Sequence, residues 1–509
     1  MMQELILGLD LGTTAIKTAI YTRNGILLGV STIEYDLLTP QVNWVEQKPE
    51  VYWDSIKTGM AKLREKIGYN PNEIKAMAIS AQGETLFFTD KDGNPLRNAI
   101  VWMDNRAQEE AKQLKERFTD EICYQVTGQV SFEPCWPASK ILWVKNNEPV
   151  IFQKIEYFML IEDYIIFRLT GKLVSEGSLL CSTTYWDINT KKYWDEMLDY
   201  LDITPKQLPA IMESGMQVGS VLPQIAEELG LSTNTIVCTG ALDQAAGAIG
   251  VGNISEGIFS ENIGAALAIC IPVKKPVFDP NRTMPLHYFA IPDMYMIHTF
   301  TTGGMTLRWF RDMFCQYETD KDQKKKTDTY ITMDNYAAEV PPGCEGLLML
   351  PHLTGSLAPD VNSKAKGVYF GFTLKHTKGH FVRAIMESVG YIIKRNLEAL
   401  AAMNINITEI RSLGGGSKSS LWNHIKADIT GKRIKTMQST EAACLGAAIL
   451  AGKATGMFCS VENAVESMVK AEKVVDPNPE NQTIYERGYA NYKKLFTDLK
   501  SMFDISYEK

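Results

Sequence analysis

The sequence predicts an α/β protein made of two similar domains, and three observations carry that expectation. The chain has 509 residues, too many for one hydrophobic core. It opens on short apolar runs separated by polar turns, and a related layout returns halfway along. Helical periodicity follows the first of these openings instead of alternating with its strands.

Taken in order, Leu5 to Asp10 (LILGLD) is an apolar run that stops at an Asp and a Gly-Thr-Thr turn. Residues 15–21 (AIKTAIY) return as a second strand, and Gly25 turns the chain into a third (ILLGVSTIEYD). Strand, polar turn and strand make a β-meander, not a strand-to-helix crossover. Residues 51–67 have the 3.6-residue period of an amphipathic helix, and 74–80 and 86–88 read as further strands. In the second half, 235–240 (TIVCTG) is a strand ending before Ala241-Leu242-Asp243. Residues 257–260 and 266–271 again read as strands around a polar turn. Residues 410–413 run into Gly414-Gly415-Gly416-Ser417, with a helix (SSLWNHIKADITG) behind.

This outline is that of a duplicated actin-like (ribonuclease H-like) fold with ligands in an interdomain cleft. The boundary is expected near residue 250, at Gly247–Gly252, giving an N-terminal domain of 1–250 and a C-terminal domain of 251–509. The charge run 318–329 is expected to be a solvated loop or exposed helix end. The stretch from Asn478 reads as an amphipathic surface helix.

Composition narrows the partners. A formal charge of −8 is the opposite of the basic surface a nucleic-acid binder needs. No apolar run approaches the length of a membrane span, and the N-terminus lacks a basic leader. Nine dispersed Cys with no CxxC pair read as reduced thiols. The expectation is a cytoplasmic protein with neither nucleic acid nor membrane as partner.

Five segments carry groups suited to phosphoryl transfer, which needs phosphate-binding amides and a cation, a metal ion, and a carboxylate that takes the proton. Asp10-Leu11-Gly12-Thr13-Thr14 with Lys17 offers a tight turn, two hydroxyls, a metal-competent carboxylate and an ammonium. The alternative is an ordinary hairpin turn. Gly414–Ser417 lets a flat ring or phosphate approach the backbone, or serves packing alone. Asp243 follows a strand among small residues, fit for a general base or for capping the next helix. Gln82-Gly83-Glu84-Thr85 and Trp102-Met103-Asp104-Asn105-Arg106 combine amide, carboxylate and guanidinium at strand ends, as a sugar site or as surface polarity.

In this order the segments resemble the FGGY family of carbohydrate kinases over nearly the whole chain. Asp10-x-Gly12-Thr13-Thr14-x-x-Lys17 is similar to the family's first phosphate motif. Pro137-Ala138-Ser139-Lys140-Ile141-Leu142-Trp143-Val144-Lys145-Asn146-Asn147 is similar to its first signature. Gly367 to Phe372 and His380 to Glu387 are similar to its second. Gly414–Ser417 through Asp428–Gly431 to Glu441–Ala447 resembles the adenosine motif and its closing helix.

The resemblance implies a two-domain kinase using ATP and Mg²⁺, with Asp243 as catalytic base. Gln82, Glu84, Asp104, Asp243 and Gln244 would face the sugar. Thr13, Thr14, Lys17, Gly264 and Gly304 would lie at the phosphates, Gly415, Gly416 and Ser420 at the adenosine, and Asp10 at the metal. The acceptor expected first is a ketopentose such as xylulose. Glycerol or a tetritol, a hexulose, gluconate and autoinducer-2 are the other substrates of the family, and a non-catalytic sugar-binding protein is the reading outside it. A homodimer is possible by analogy. One departure stands out: Ile263, in Ser260-Glu261-Asn262-Ile263-Gly264-Ala265, replaces a residue that usually brings a hydroxyl to the γ-phosphate.

Overall fold

Six strands form the sheet of the first unit, in the order Leu27–Glu34, Ala15–Thr22, Leu5–Leu11, Ile74–Ala81, Ile236–Cys238, Gln217–Ser220. A short strand, Ala241–Leu242, also pairs with Ile74–Ala81. The computed structural model describes residues 3–505. The first three strands are the expected antiparallel meander. Leu5–Leu11, Ile74–Ala81 and Ala241–Leu242 then run parallel, with Asp10 opposite Ser80 and Ser80 opposite Ala241. Three parallel strands therefore end at one edge, the place where open α/β sheets hold their ligands. The strands are apolar nearly throughout because both faces are covered: Ile6, Leu7, Leu9, Leu11, Ile79 and Ala81 are all fully buried.

The second unit repeats the order with Tyr295–Thr302, Ala266–Val273, Ile258–Ile263, Glu409–Gly414, Arg433–Met437 and Ala471–Val475. Ile258–Ile263 forms a hairpin with Ala266–Val273 and lies parallel to Glu409–Gly414, with Ile263 opposite Gly414. The duplication read from the sequence is present in strand order and direction.

A single cut near 250 does not describe the units. The first comprises 1–254, 272–297 and 441–470, and the second 255–271, 298–440 and 471–509. Gly247–Gly252 is no linker. Gly247–Gly250 is the end of the helix Asp243–Gly250, and Gly250 packs so closely that a Cβ there would lie 1.8 Å from the Ala442 carbonyl oxygen. Helix Ala442–Ala454, expected to close the adenosine motif, belongs instead to the first unit. It is buried from Cys444 to Gly452, and a Cβ on Gly446 would lie 1.8 Å from the Ala246 oxygen. A Cβ on Gly8 would lie 2.0 Å from the Cys444 oxygen. Small residues on both sides let this helix rest against backbone.

The charge run 318–329 is the exposed C-terminal part of a helix, Gln316–Lys325, and the turn after it, the second of the two expectations. Polar contacts replace an apolar face there. Lys378 Nζ donates to Glu318 at 2.7 Å, and Thr332 Oγ1 donates to Asp322 at 2.8 Å. The C-terminal helix Gln482–Asp498 is present and buries Tyr485, Tyr489 and Tyr492. All nine cysteines are free thiols. Among the described residues no helix is long and apolar enough to cross a membrane.

Candidate active site

The strand register places Asp10, the Gln82–Thr85 turn and Asp243 at the ends of three adjacent parallel strands of the first unit. Asp243 is the first residue of its helix and half-buried, as are Asp10 and Glu84. Burial, and after it the negative charges of Asp10 and Glu84, push the Asp243 carboxyl up to about 7. Backbone and side-chain amides of Gln244 pull the other way. Proton affinity near neutrality suits a group that must accept a hydroxyl proton at that pH. Burial likewise raises Asp10, against a 2.9 Å hydrogen bond donated by Ser80 Oγ and the charge of Lys17.

Gln82 is 3% exposed and its side-chain amide makes no well-formed hydrogen bond, with the buried Tyr52 hydroxyl as its polar neighbour. A buried amide left open in this way costs free energy unless a polar ligand completes it. Glu84 is raised by burial, and the Ser182 hydroxyl and the Lys140 ammonium oppose the shift. A Cβ on Gly83 would lie 3.1 Å from Leu242 Cδ1, so the turn packs directly on the strand leading to Asp243.

Asp104 does not join this group, which corrects its expected sugar-facing role. It is fully buried, and its carboxylate accepts from the Val45 amide at 2.5 Å and from Arg106 Nε and Nη2. Arg106 is in turn held by Glu46 at 2.8 Å and lies 3.9 Å from the Trp44 ring centroid. No lone pair of Asp104 remains for a ligand, and its work is to brace the loop after Trp102.

In the turn after Asp10, Thr13 Oγ1 accepts from Trp102 Nε1 at 2.8 Å, and Thr14 is exposed. Lys17 donates to Glu441 Oε2 at 2.7 Å. Ser80, Trp102 and Glu441 join the expected residues, and Trp102 and Glu441 lie within the motifs that resemble the family's.

In the second unit, three segments meet under one glycine-lined surface. The Gly304 amide donates to the Gly264 carbonyl at 3.0 Å, and the Gly264 amide to Ala266 at 3.0 Å. Both amides are thus spent within the fold, and what these glycines supply is room. A Cβ on Gly304 would meet the Gly264 oxygen at 2.4 Å, and one on Gly416 would meet Ile263 Cβ at 2.7 Å. Gly414 adopts φ 72° and ψ −164°, open to glycine alone. Ser417 Oγ donates to the Gly414 carbonyl at 2.8 Å and Asn423 Nδ2 to the Ser417 carbonyl at 2.7 Å, fixing the turn. Gly415 and Ser420 are exposed beside it. Ile263 is 1% exposed and packs beneath Gly416, a core position.

Among the described residues no group of three or more His, Cys, Asp or Glu is arranged to cage a metal. Asp10, half-buried and accepting one hydrogen bond from Ser80, fits a Mg²⁺ that takes its remaining ligands from water and phosphates.

Comparison with known proteins accords with this geometry. Residues 5–250 match the model of the FGGY family of carbohydrate kinases, N-terminal domain, and 271–455 match that of its C-terminal domain. Over 503 residues the chain is 29% identical to the xylulose kinase of Staphylococcus epidermidis, covering 99% of this chain and 98% of that one. It is also 29% identical to the gluconokinase of Bacillus subtilis, covering 95% and 94%. Among solved structures it is similar to ligand-bound xylulose kinase from Lactobacillus acidophilus, with a TM-score of 0.89, 28% identity and coverage of 98% and 99%.

Proposed function

The chain belongs to the FGGY family of carbohydrate kinases, and from that premise we propose that it transfers the γ-phosphate of ATP to a hydroxyl of a ketopentose, D-xylulose first. The observation that carries the mechanism is the Asp243 carboxylate at the strand edge shared with Asp10 and Gln82. Gln82, Glu84 and Gln244 bind and orient the sugar, and Asp243 takes the proton of the attacking hydroxyl. Asp10 would hold a Mg²⁺, which would supply neutralisation of charge on the phosphates. Thr13, Thr14 and Lys17 serve the phosphates, with Glu441 fixing the direction of Lys17. The Gly264, Gly304, Gly415, Gly416 and Ser420 surface takes the nucleotide. The open amide of Gln82 supports a polyhydroxyl ligand over an apolar one.

The test is ADP release with D-xylulose, D-gluconate and glycerol as acceptors. The highest kcat/KM is expected for D-xylulose; preference for gluconate would move the assignment to that acid, and no ADP with any acceptor would remove it.

The raised Asp243 carboxyl fixes the sign of the pH dependence. The base works only when ionised, so activity is present above about 7 and lost below it. Acceptor kcat/KM is expected to fall roughly tenfold per pH unit on the acid side. A profile flat from pH 5.5 to 8 would contradict the role.

At the nucleotide surface, Gly416→Val forces Cβ atoms against Ile263. Overpacking of this kind is expected to raise the ATP KM about tenfold. The acceptor KM, measured in the same assay, is expected to stay unchanged.

A further inference from the structure

Lys140 lies in the first signature, yet nothing in the reaction above uses it. It is fully buried on the helix Pro137–Asn147. Its Nζ donates to the carbonyl oxygens of Glu84 at 3.1 Å, Val101 at 3.0 Å and Trp102 at 3.3 Å. An ammonium has three donors, and all three are spent on these carbonyls. One carbonyl belongs to the Gln82–Thr85 turn, and two belong to the segment that carries Trp102 and Asp104. The same helix presents Trp143 to the Arg106 guanidinium at 4.9 Å, and Arg106 holds Asp104. A second tie joins the loops where Thr85 Oγ1 accepts from the Trp102 amide at 3.1 Å.

We infer that Lys140 is a positioning residue, a clasp that fixes the Gln82–Glu84 turn against the Trp102–Asp104 loop and so sets the affinity for the sugar it never touches. A buried amine beside a candidate site also fits a proton-transfer role. The geometry excludes that here, because the side chain is sealed from any ligand and no donor is spare. The inference rests on the sugar-kinase reading for its effect on affinity but not for its effect on the loops.

The groups facing Lys140 are the Cys135 thiol, which burial keeps neutral here, Glu84 and Asp104, whose negative charges favour its own, and Arg106, which opposes it. Burial is the larger influence and brings the ammonium down to about 8. Loss of its proton leaves one of the three carbonyls without a donor.

Two measurements test the clasp. In Lys140→Met, amide hydrogen exchange is expected to quicken by about tenfold or more in peptides spanning 83–86 and 101–105, with 414–423 unchanged. The D-xylulose KM is expected to rise about tenfold, with the ATP KM within about twofold. Unchanged exchange in both loops, or an equal rise along the whole chain, would overturn the inference.

The second measurement uses the wild type and does not depend on how the variant folds. From pH 7 to 9.5 the acceptor KM is expected to climb through about 8 while the ATP KM stays flat. A flat acceptor KM together with unchanged exchange in Lys140→Met overturns the clasp. Absence of any phosphorylated acceptor overturns the function instead, and leaves the exchange comparison to judge the loops.

Discussion

Asp243→Asn is expected to lower kcat by about 10²- to 10⁴-fold while sugar and ATP bind as before. The substitution keeps shape and removes only the ability to take a proton. Asp243 sits at the first turn of a helix whose Ala245, Ala246 and Ile249 are buried, so the backbone position does not depend on its charge. Removing a raised carboxyl also relieves its repulsion with Asp10 and Glu84. Binding is therefore expected to hold or tighten, and a loss in kcat alone marks an interaction made only in the transition state. ADP release gives kcat, and titration calorimetry with D-xylulose and with ATP gives the affinities. Retained turnover would remove Asp243 from the chemistry; lost sugar binding with intact kcat would make it a ligand and no base.

Lys426→Met is expected to destabilise the second unit by about 3–5 kcal/mol. Lys426 and Glu261 are both fully buried and pair directly, and Lys426 Nζ also donates to Ser412 Oγ at 2.7 Å. Glu261 precedes Asn262 and Ile263 at the end of the strand beneath the glycine turn. Its second carboxylate oxygen already lacks a partner, so without Lys426 only the Ser412 hydroxyl remains to hold the buried charge. Joint replacement, Glu261→Leu with Lys426→Met, is expected to recover most of the loss, because an apolar pair has no charge to desolvate. Urea unfolding of the three proteins decides it. A double variant no more stable than the single one would show that the pair holds the turn by shape.

Much of the site was legible because its elements are local. The meander shows as continuous apolar runs broken by polar turns, and Asp10 and Asp243 stand where such runs stop. What stayed hidden depends on distant partners. Lys17 meets Glu441 across 424 positions, and no spacing rule joins them. Asp104 looked like a ligand because its type and loop fit one. Only the fork of Arg106, two residues on, shows its oxygens to be spent. The helix Ala442–Ala454 is apolar on every side, so its pattern announces burial without saying against which sheet. Of the two readings of 318–329, the exposed helix end holds, because ion pairs support a helix that has no greasy stripe.

The return of residues 441–470 to the first unit also constrains how the polypeptide is born. Synthesis proceeds from the N-terminus at roughly 5–20 residues per second. The sheet begun at Leu5 thus waits, at that pace, roughly 20 to 90 seconds for the helix that covers Gly8 and Gly250. Until then the nascent chain shows ribosome-bound chaperones an uncapped apolar face. A stop codon anywhere before 441 would leave both halves of the gene product unfinished.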